Sequence, residues 1–497
     1  MRRAGAARDA GSPGRTRCEK PMRSACLDMP CCLAWAIPSL CLVLLPGCVP
    51  RDAQSERLVI ISPHREEIRQ EVAEGFRAWL RQRPGWENSD VKIEWRDIGG
   101  GSSQMLRYLD TLYRISPDGV GIDLLFGGGT DPYLTLKDNG RLEQWKMPPE
   151  LREKIPQNIS GVDLYDPDEY WHGVMLSSLV IFLNREAREL LDLKTWKPER
   201  WKDLGDPRVQ GHVTAGDPRM SGSVRLLYDL ILQTYGWDEG FSQLMRLGAN
   251  ARGFARFSDS VTKDVVFGRA VAGGSLDSYA FSAMTREQAR PWHLPQLEAV
   301  FPRGETLLNP DSIGILKGAP HRELAELFVE YNLSEEGGQR LWMLKPRTLP
   351  GSPRQYSICR LSVMPRLYDA TLYPEGVRSV PINPFDEAQV GRLVKFSNRL
   401  ADSRRFVMSD LFGAWIVDTH DELSAAWQAV LRSRPRGKQD DPLEARLFAP
   451  PCTESEALAR NPWLRPGRPV ERAQQLTAWL EEARTRYRSI RAEAESR

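Results

Sequence analysis

The sequence predicts an α/β protein built on a mostly parallel sheet. Two observations support this fold class. Short apolar runs of strand length alternate with stretches whose apolar residues recur at helical spacing, and Gly- or Ser-rich turns separate them. The 497 residues are 41% hydrophobic and 27% charged, which is ample apolar material for two or three cores. The formal net charge of +2 lacks the basic excess that is typical of nucleic-acid binders, so we expect no nucleic-acid partner.

The N-terminal segment differs from the rest of the chain. An uncharged apolar run over 33–45 follows several arginines and has the length of the apolar core of a secretory signal. It leads into Leu45-Pro46-Gly47-Cys48, which resembles the bacterial lipobox, where the cysteine is lipidated. We therefore predict a signal peptide over 1–47, lipidation of Cys48, a polar tether over 48–57 and an exported, membrane-anchored protein. An uncleaved anchor and an ordinary signal peptide remain the alternatives.

The first α/β series begins at Leu58. Strands are predicted over 58–61, 91–95 and 122–126, and helices over 68–80, 105–112 and 131–137. After a polar and aromatic stretch without a clean period, the pattern resumes. Further strands are predicted over 179–183, 212–215, 297–301 and 312–316, a strand-loop-helix over 265–280, and helices over 224–231, 323–333 and 335–344. A final charged helix carries apolar residues at 3-4 spacing from Ala473 to Ile490, and we expect it to pack on its own domain.

Three turns share one design, in which a strand ends, a Gly- or Ser-rich loop follows, and a helix begins. Free backbone N–H groups and the positive end of the helix dipole then point at one place, which favours an anionic or acceptor-rich ligand. In an open α/β sheet such turns lie at the carboxyl ends of the strands, where ligands bind. The candidate ligand-binding residues in these turns are Gly100, Gly101, Ser102, Gly128, Gly129, Thr130, Ser221, Gly222 and Ser223.

Motifs of catalysis and of cofactor binding are absent. The sequence has no GxxxxGK[ST], GxGxxG, GxSxG, HExxH or CxxC motif, so we expect no cofactor and no catalytic residue. Among the six histidines, His64 is notable because it follows the first strand, where a ligand would lie. Two other classes stay open: an enzyme acting on phosphoesters through His64 and Asp131, and an envelope sensor that uses its C-terminal region as a partner surface.

Several segments together resemble the bacterial extracellular solute-binding proteins of ABC importers. The resemblance rests on LVIISPHREEIRQEVAEGF, VKIEWRDIGGGSSQMLRYL, GIDLLFGGGTDPY, WHGVMLSSLVIFLN and YSICRLSVMP, and covers roughly residues 58–365. It is closest to the branch that contains ferric-ion, thiamine, phosphonate and sugar-phosphate binding proteins.

The resemblance implies a two-lobed, type II periplasmic-binding-protein-like fold with two crossover strands and an extra C-terminal helical region. It implies a first lobe over 58–168 plus 305–351, a second over 169–304 plus 352–430, and a C-terminal charged extension over 431–497.

The resemblance also implies site residues. His64 falls where the ferric binders place a histidine ligand, Ser221 to Ser223 match the anion-binding segment, and Asp277 and Tyr279 fall near the position of their paired tyrosines. From its position just before the predicted crossover strand, we also expect Ser177 to face the cleft. Because Gly127 to Gly129 replace an expected acidic ligand, we predict a small polar or anionic solute and no metal site. Ferric ion held by His64, Asp277 and Tyr279 is the alternative, as is thiamine.

The predicted partners follow from this family. They are a small solute bearing phosphate, phosphonate or carboxylate, or else ferric ion, an ABC permease with its ATPase, and the membrane through a lipid anchor. We expect a monomer. The sequence leaves open whether Cys359 and Cys452 form a disulfide.

Overall fold

The computed structural model describes residues 56–159, 161–288, 296–434, 441–464 and 467–497. The predicted signal peptide, the lipidation site Cys48 and nearly all of the tether lie outside these residues. Within the described part of the chain, no helix is both long and apolar enough to cross a membrane. Cys359 and Cys452 are both free thiols.

Ten of the strands form one sheet in the order β2-β1-β3-β12-β7-β10-β8-β9, with β4 beside β12 and β11 beside β7. The strands are β1 (Arg57–Ile61), β2 (Lys92–Arg96), β3 (Leu124–Phe126), β4 (Leu142–Glu143), β5 (Asn158–Ile159), β6 (Val162–Asp163), β7 (His172–Asn184), β8 (Val213–Gly216), β9 (Ala251–Ala255), β10 (Ala272–Leu276), β11 (Leu297–Val300) and β12 (Leu308–Leu316). β1 pairs in parallel with β2 and β3, and β8 with β9 and β10. The pairs that involve β7 and β12 are antiparallel, so the sheet is mixed rather than mostly parallel.

Helices pack against the strands of this sheet in both halves. They are α1 (Glu66–Leu80), α2 (Ser102–Ile115), α3 (Asp131–Asp138), α4 (Pro149–Arg152), α5 (Arg185–Leu190), α6 (Gly222–Tyr235), α7 (Trp237–Asn250), α8 (Ser258–Val266), α9 (Asp277–Gln288), α10 (Arg322–Leu333), α11 (Arg340–Met343), α12 (Glu387–Val390), α13 (Asn398–Ser403), α14 (Arg405–Phe412), α15 (His420–Ser433), α16 (Pro442–Leu447), α17 (Glu454–Arg460) and α18 (Pro469–Glu495).

The two crossover strands predicted from the sequence are β7 and β12. The first half of β7 pairs with β12, and its second half pairs with β10 and β11. The far end of β12 pairs with β3 and β4. Both strands begin earlier than their apolar runs predict, because polar residues such as Ser177 and Asp311 lie inside the ladder. These residues are thereby held rigidly where the two halves of the sheet meet.

The apolar core divides at these strands into two lobes. Leu58, Phe76, Leu176 and their neighbours form the core of the first lobe, and an adjoining cluster holds Val59 and Tyr133. The core of the second lobe contains residues of β7 beyond Leu179, together with helices α6, α7, α14 and α15. Each lobe therefore has its own helices, and the strands β7 and β12 connect them.

The segment after residue 352 does not pack as the sequence predicted. We expected 352–430 to belong wholly to the second lobe, but Ile358, Leu361 and Tyr368 are buried in the core of the first. The cause is backbone pairing. Leu361 exchanges backbone hydrogen bonds with Leu176 in β7, and the N–H of Arg360 donates to the carbonyl of Trp342. The chain joins the second lobe only from about Phe396 onward.

The C-terminal helix α18 packs against the second lobe. Its buried residues recur at helical spacing and belong to the same apolar cluster as α15: Trp479, Ala483, Tyr487, Ile490 and Ala494. The Tyr487 hydroxyl donates to the carbonyl of Trp415 at 2.6 Å. Arg472 forms two hydrogen bonds with Asp410 of α14, both 2.7 Å long. The charged residues of α18 thus surround one apolar stripe that is part of the lobe core.

Candidate functional site

A cavity of about 320 Å³ lies between the lobes, at the ends of the strands where helices begin. Of the thirteen residues that the sequence singled out as ligand-binding, all except Asp277 line it. The first lobe contributes His64 and the glycine turns before α2 and α3, and the second contributes Ser221 to Ser223 and Tyr279. Ser177 reaches it from the crossover strand β7. The predicted turns are therefore brought together in one place.

The turn before α3 contains three glycines in a conformation that L-residues rarely adopt. The φ angles of Gly127, Gly128 and Gly129 are +93°, +94° and +77°. A Cβ on Gly127 would lie 2.4 Å from the His64 ring, and one on Gly129 would lie 2.9 Å from Asn309 Nδ2. Glycine is thus required both for the backbone conformation and for close approach to the cavity wall.

Helix starts from the two lobes face each other across the cavity. A Cβ on Gly222, at the first position of α6, would lie 2.2 Å from the Ser102 hydroxyl at the start of α2. Ser221 is the N-cap of α6, and its hydroxyl accepts from the N–H of Val224 at 3.5 Å. The lobes are therefore closed on each other, and the N-terminal ends of helices from both of them bound the cavity.

His64 is fully engaged by its neighbours. Its Nδ1 lies 3.0 Å from the Ser62 hydroxyl and its Nε2 lies 3.1 Å from Asp311 Oδ2. The other oxygen of Asp311 accepts from the N–H of Gly129 at 2.9 Å. Burial lowers the pKa of His64, although Asp311 works to raise it. The imidazole is therefore neutral at pH 7 and serves to fix Asp311 and the glycine turn.

Asp311 is held as a carboxylate. Burial alone would raise its pKa, but the hydrogen bond to His64, together with the charge of Arg360, holds the pKa of Asp311 well below its usual range. The carboxylate fixes the cavity wall because it links β12 to the Gly129 turn.

Four arginines that sequence reasoning missed also line the cavity. They are Arg65, Arg69, Arg225 and Arg360. Arg65 and Arg69 lie just after β1, beside His64, so their position in the sequence could have predicted that they line the cavity. Arg360 had no local signal, since it lies in an irregular segment and reaches the cavity only through the pairing of Leu361 with β7.

Two of these arginines already have carboxylate partners. Arg69 donates to Asp97 at 3.0 Å, and Arg225 forms an ion pair with Asp131. The other two approach the ring of Tyr279. The guanidinium carbon of Arg65 lies 4.9 Å from the ring centroid, and that of Arg360 lies 5.6 Å from it.

Arg65 and Arg360 are the cations least compensated by carboxylates. Within the part of the chain that the structure describes, Arg65 forms no ion pair, and Arg360 only approaches Asp311, at 3.9 Å. The Nε–H group of each is buried and has no hydrogen-bond partner among the described residues. Arg360 is 2% exposed and also donates to the Ser177 hydroxyl. A buried donor of this kind costs free energy until an acceptor reaches it.

Asp277 lies outside the cavity lining. The residue is 1% exposed, its Oδ1 accepts from the N–H of Ser278 at 2.7 Å, and its Oδ2 has no partner among the described residues. Burial raises the pKa of Asp277 to about 7, although backbone N–H groups and the charge of Arg360 oppose the rise. The structure therefore does not bring Asp277 to the cavity with the other predicted contacts, since its carboxyl group is enclosed by protein.

The donor set is poorly suited to a metal ion. Among the described residues, no group of three or more His, Cys, Asp or Glu could hold one. His64 lines the cavity, but both of its ring nitrogens are engaged, and Asp277 lies outside the lining, so two of the three residues of the alternative metal set are not available as ligands.

Two α/β lobes joined by two long strands, with a polar cavity between them, are the architecture of the two-lobed periplasmic binding proteins. The family model of the bacterial extracellular solute-binding proteins matches residues 129–346. Together with the fold, this match confirms the resemblance to that family that the sequence predicted.

Two other proteins are similar to this chain in sequence. The chain is 22% identical over 388 residues to the phosphoglycerate transport regulatory protein PgtC of Salmonella typhimurium, across 78% of this chain and 85% of that protein. It is 29% identical over 225 residues to an uncharacterized protein of Haemophilus influenzae, across 44% of this chain and 60% of that relative. The second match therefore spans less than two thirds of the relative's length.

Solved structures share the fold. The periplasmic binding protein AfuA from Actinobacillus pleuropneumoniae, with fructose-6-phosphate bound, aligns with a TM-score of 0.52 at 21% identity, over 68% of this chain and 95% of that one. Iron-bound HitA from Pseudomonas aeruginosa aligns with a TM-score of 0.50 at 18% identity, over 69% and 94% of the two chains. These similarities confirm the predicted two-lobed α/β fold.

Proposed function

We propose that this protein captures a small organic anion, with phosphate or carboxylate as its charged group, and delivers it to an ABC importer. The observation that carries the proposal is the pair Arg65 and Arg360, which face Tyr279 and whose Nε–H groups have no hydrogen-bond partner among the described residues. An anion between the lobes would satisfy both.

The chemistry of the cavity wall supports an oxyanion. A guanidinium presents several N–H donors in one plane, which matches the spacing of phosphate or carboxylate oxygens. The N-terminal ends of α2 and α6 add backbone donors and a favourable dipole, and Ser177 and Ser223 add hydroxyl groups. Arg360 is 2% exposed, so its interaction with an anion is stronger than it would be at the surface.

Two of the compared proteins support a phosphate ester within this class. PgtC is named for phosphoglycerate transport, and AfuA was solved with fructose-6-phosphate. Ferric binding, which HitA represents, is less favoured for this chain. A trivalent cation needs several anionic oxygens, whereas this cavity presents two guanidinium groups that no carboxylate of the described residues fully compensates.

We also propose that the protein is exported and attached to a membrane of the cell envelope. Lipidation of Cys48 after removal of residues 1–47 would attach the protein to a membrane facing the exported compartment, with 48–57 as the tether. We propose a monomer without catalytic activity, since the cavity of a capture protein needs to bind and release its solute unchanged.

Calorimetric titration of the protein lacking residues 1–47 tests the function. The probes are fructose 6-phosphate, 3-phosphoglycerate, inorganic phosphate, uncharged fructose and ferric citrate. We expect heat from phosphate esters and none from fructose. Binding of fructose with the same affinity as its phosphate ester, or of ferric citrate alone, would contradict the proposal.

Substitution of the two arginines locates the anion. Arg360→Gln and Arg65→Gln should each weaken phosphate-ester binding by about 10- to 100-fold, since hydrogen bonds to charged groups contribute about 1.5–3 kcal/mol. Arg360→Lys keeps the charge and should retain part of the affinity. Arg185→Gln is the matched control, because Arg185 is an exposed arginine paired with Glu298 away from the cavity. Wild-type affinity in Arg360→Gln would disprove the site.

A further inference from the structure

One carboxylate of the first lobe is bound by two arginines of the second. Asp131, the first residue of α3, forms ion pairs with Arg225 of α6 and with Arg405 of α14. The side chains of the two arginines are only 5% and 8% exposed. Arg405 also donates to the backbone carbonyl of Asp131 at 3.3 Å.

These ion pairs cross the cleft. α3 is packed into the first lobe through Tyr133 and Leu136. α6 and α14 are packed into the second lobe, through Leu227 and Val407 among others. Separation of the lobes therefore requires Asp131 to leave both arginines, while no ion pair within a lobe has to break.

The arginines are held in place by a network from the C-terminal part of the chain. Asp229 lies 3.9 Å from Arg225 and 2.7 Å from Arg404, and Arg404 in turn lies 2.7 Å from Glu454 of α17. Asp402 holds Arg405 at 2.7 Å. Positive and negative groups alternate along this series, so the two arginines are oriented before Asp131 reaches them.

Another charged contact between the lobes, that of Glu67 with Arg286, is more exposed to water. Glu67 and Arg286 lie 3.3 Å apart with side chains that are 31% and 60% exposed. Exposed pairs of this kind contribute little, whereas charges that are partly removed from water interact more strongly.

We propose that Asp131 is a latch between the lobes. Its ion pairs with Arg225 and Arg405 stabilise the closed arrangement independently of any solute, and so set the closed fraction of the unliganded protein. The apparent affinity for a ligand is proportional to the fraction of protein in the binding-competent state, so loss of the latch also weakens binding. This second consequence rests on the proposed function; the first does not.

Small-angle X-ray scattering on the unliganded protein lacking residues 1–47 tests the latch. We expect a larger radius of gyration for Asp131→Asn and for Arg405→Gln than for the wild type. Asp131→Glu, which keeps the charge, should stay close to the wild type. The matched control is Asp168→Asn: Asp168 binds Lys137 of the same helix α3 at 2.8 Å, but both residues lie in the first lobe. Circular dichroism and thermal melting show whether each variant is folded.

A double-mutant cycle then measures the coupling between Asp131 and Arg405. If the ion pairs act as proposed, Asp131→Asn combined with Arg405→Gln should open the protein no further than Asp131→Asn alone, since Asp131→Asn already removes both pairs, whereas Arg405→Gln leaves the pair with Arg225. Fructose 6-phosphate affinity should fall by about tenfold in Asp131→Asn, the order expected for a close charge pair of this kind, and stay unchanged in Asp168→Asn. Unchanged scattering in folded Asp131→Asn, or equal opening in Asp168→Asn, would overturn the latch. Failure of every solute to bind would instead count against the proposed function, because the scattering result stands without ligand.

Discussion

Replacement of Asp277 by asparagine should make the protein more stable at alkaline pH. Asp277 is buried at the start of α9, one of its oxygens has no partner among the described residues, and burial raises its pKa to about 7 from the usual 3.8. Between these two pH values the folded state retains a proton that the unfolded chain has released. The free energy of unfolding therefore falls as the pH rises through this interval.

The size of the effect follows from the pKa difference. Each pH unit within the interval costs about 1.4 kcal/mol, so stability should decline by roughly 3 kcal/mol between pH 5 and pH 8 from this group alone. The amide that replaces the carboxyl group in the variant has no proton to lose in this range. Asp277→Asn should therefore approach the wild type in stability near pH 4 and exceed it by a few kcal/mol at pH 8.

Urea unfolding at pH 5 and pH 8 measures this difference. The quantity of interest is the change in unfolding free energy of the wild type minus that of the variant, because other titrating groups cancel in the subtraction. Asp168→Asn serves as the control, since the Asp168 side chain is 65% exposed. The reasoning fails if Asp277→Asn is less stable than the wild type at pH 8. That result would mean that the ionised carboxylate, opposite Arg360, stabilises the fold.

Two further substitutions test the site and the C-terminal helix. Ser223→Ala should weaken phosphate-ester binding by several-fold without changing the melting temperature, whereas Ser221→Ala should also cost about 1 kcal/mol of stability because it removes the N-cap of α6. Unchanged affinity in Ser223→Ala, measured by calorimetry, would remove that residue from the site. Tyr487→Phe should cost about 1 kcal/mol through the lost hydrogen bond to Trp415, and Tyr487→Ala about 3–5 kcal/mol through the cavity it leaves. Equal costs in urea unfolding would show that the ring does not support the core.

The fold was largely predictable because its strands are apolar runs and its helices are amphipathic. The parts of the fold that were not predicted have weaker local sequence patterns. β7 and β12 extend through polar residues such as Ser177, which sequence patterns assign to loops, and only pairing between distant strands keeps them extended. The segment from Ile358 to Tyr368 was placed in the wrong lobe for the same reason, since its position depends on a contact with β7.

The candidate site was predictable where one segment carries the whole signal. The glycine and serine turns at helix starts could be recognised locally, and all of them line the cavity. The role of His64 could not, because its partner Asp311 is 247 residues away and the pairing makes the imidazole part of the wall. Arg360 escaped notice for a similar reason, whereas Arg65 stood next to His64 and could have been included.

Closure of the lobes and ligand binding are linked, because some charged groups have their partners in the closed state and others lack them. The ion pairs of Asp131 stabilise the closed lobes, but the unpartnered Nε–H groups of Arg65 and Arg360 raise the free energy of that same state. Both arginines belong to the first lobe, and closure places Tyr279 of the second lobe against them, so an anion removes a cost that arises only as the lobes close. A ligand shifts a conformational equilibrium by its difference in affinity for the two states, so an anion in this cavity acts on closure mainly through these two arginines. The latch would then keep the closed and open states close enough in free energy for the anion to decide between them.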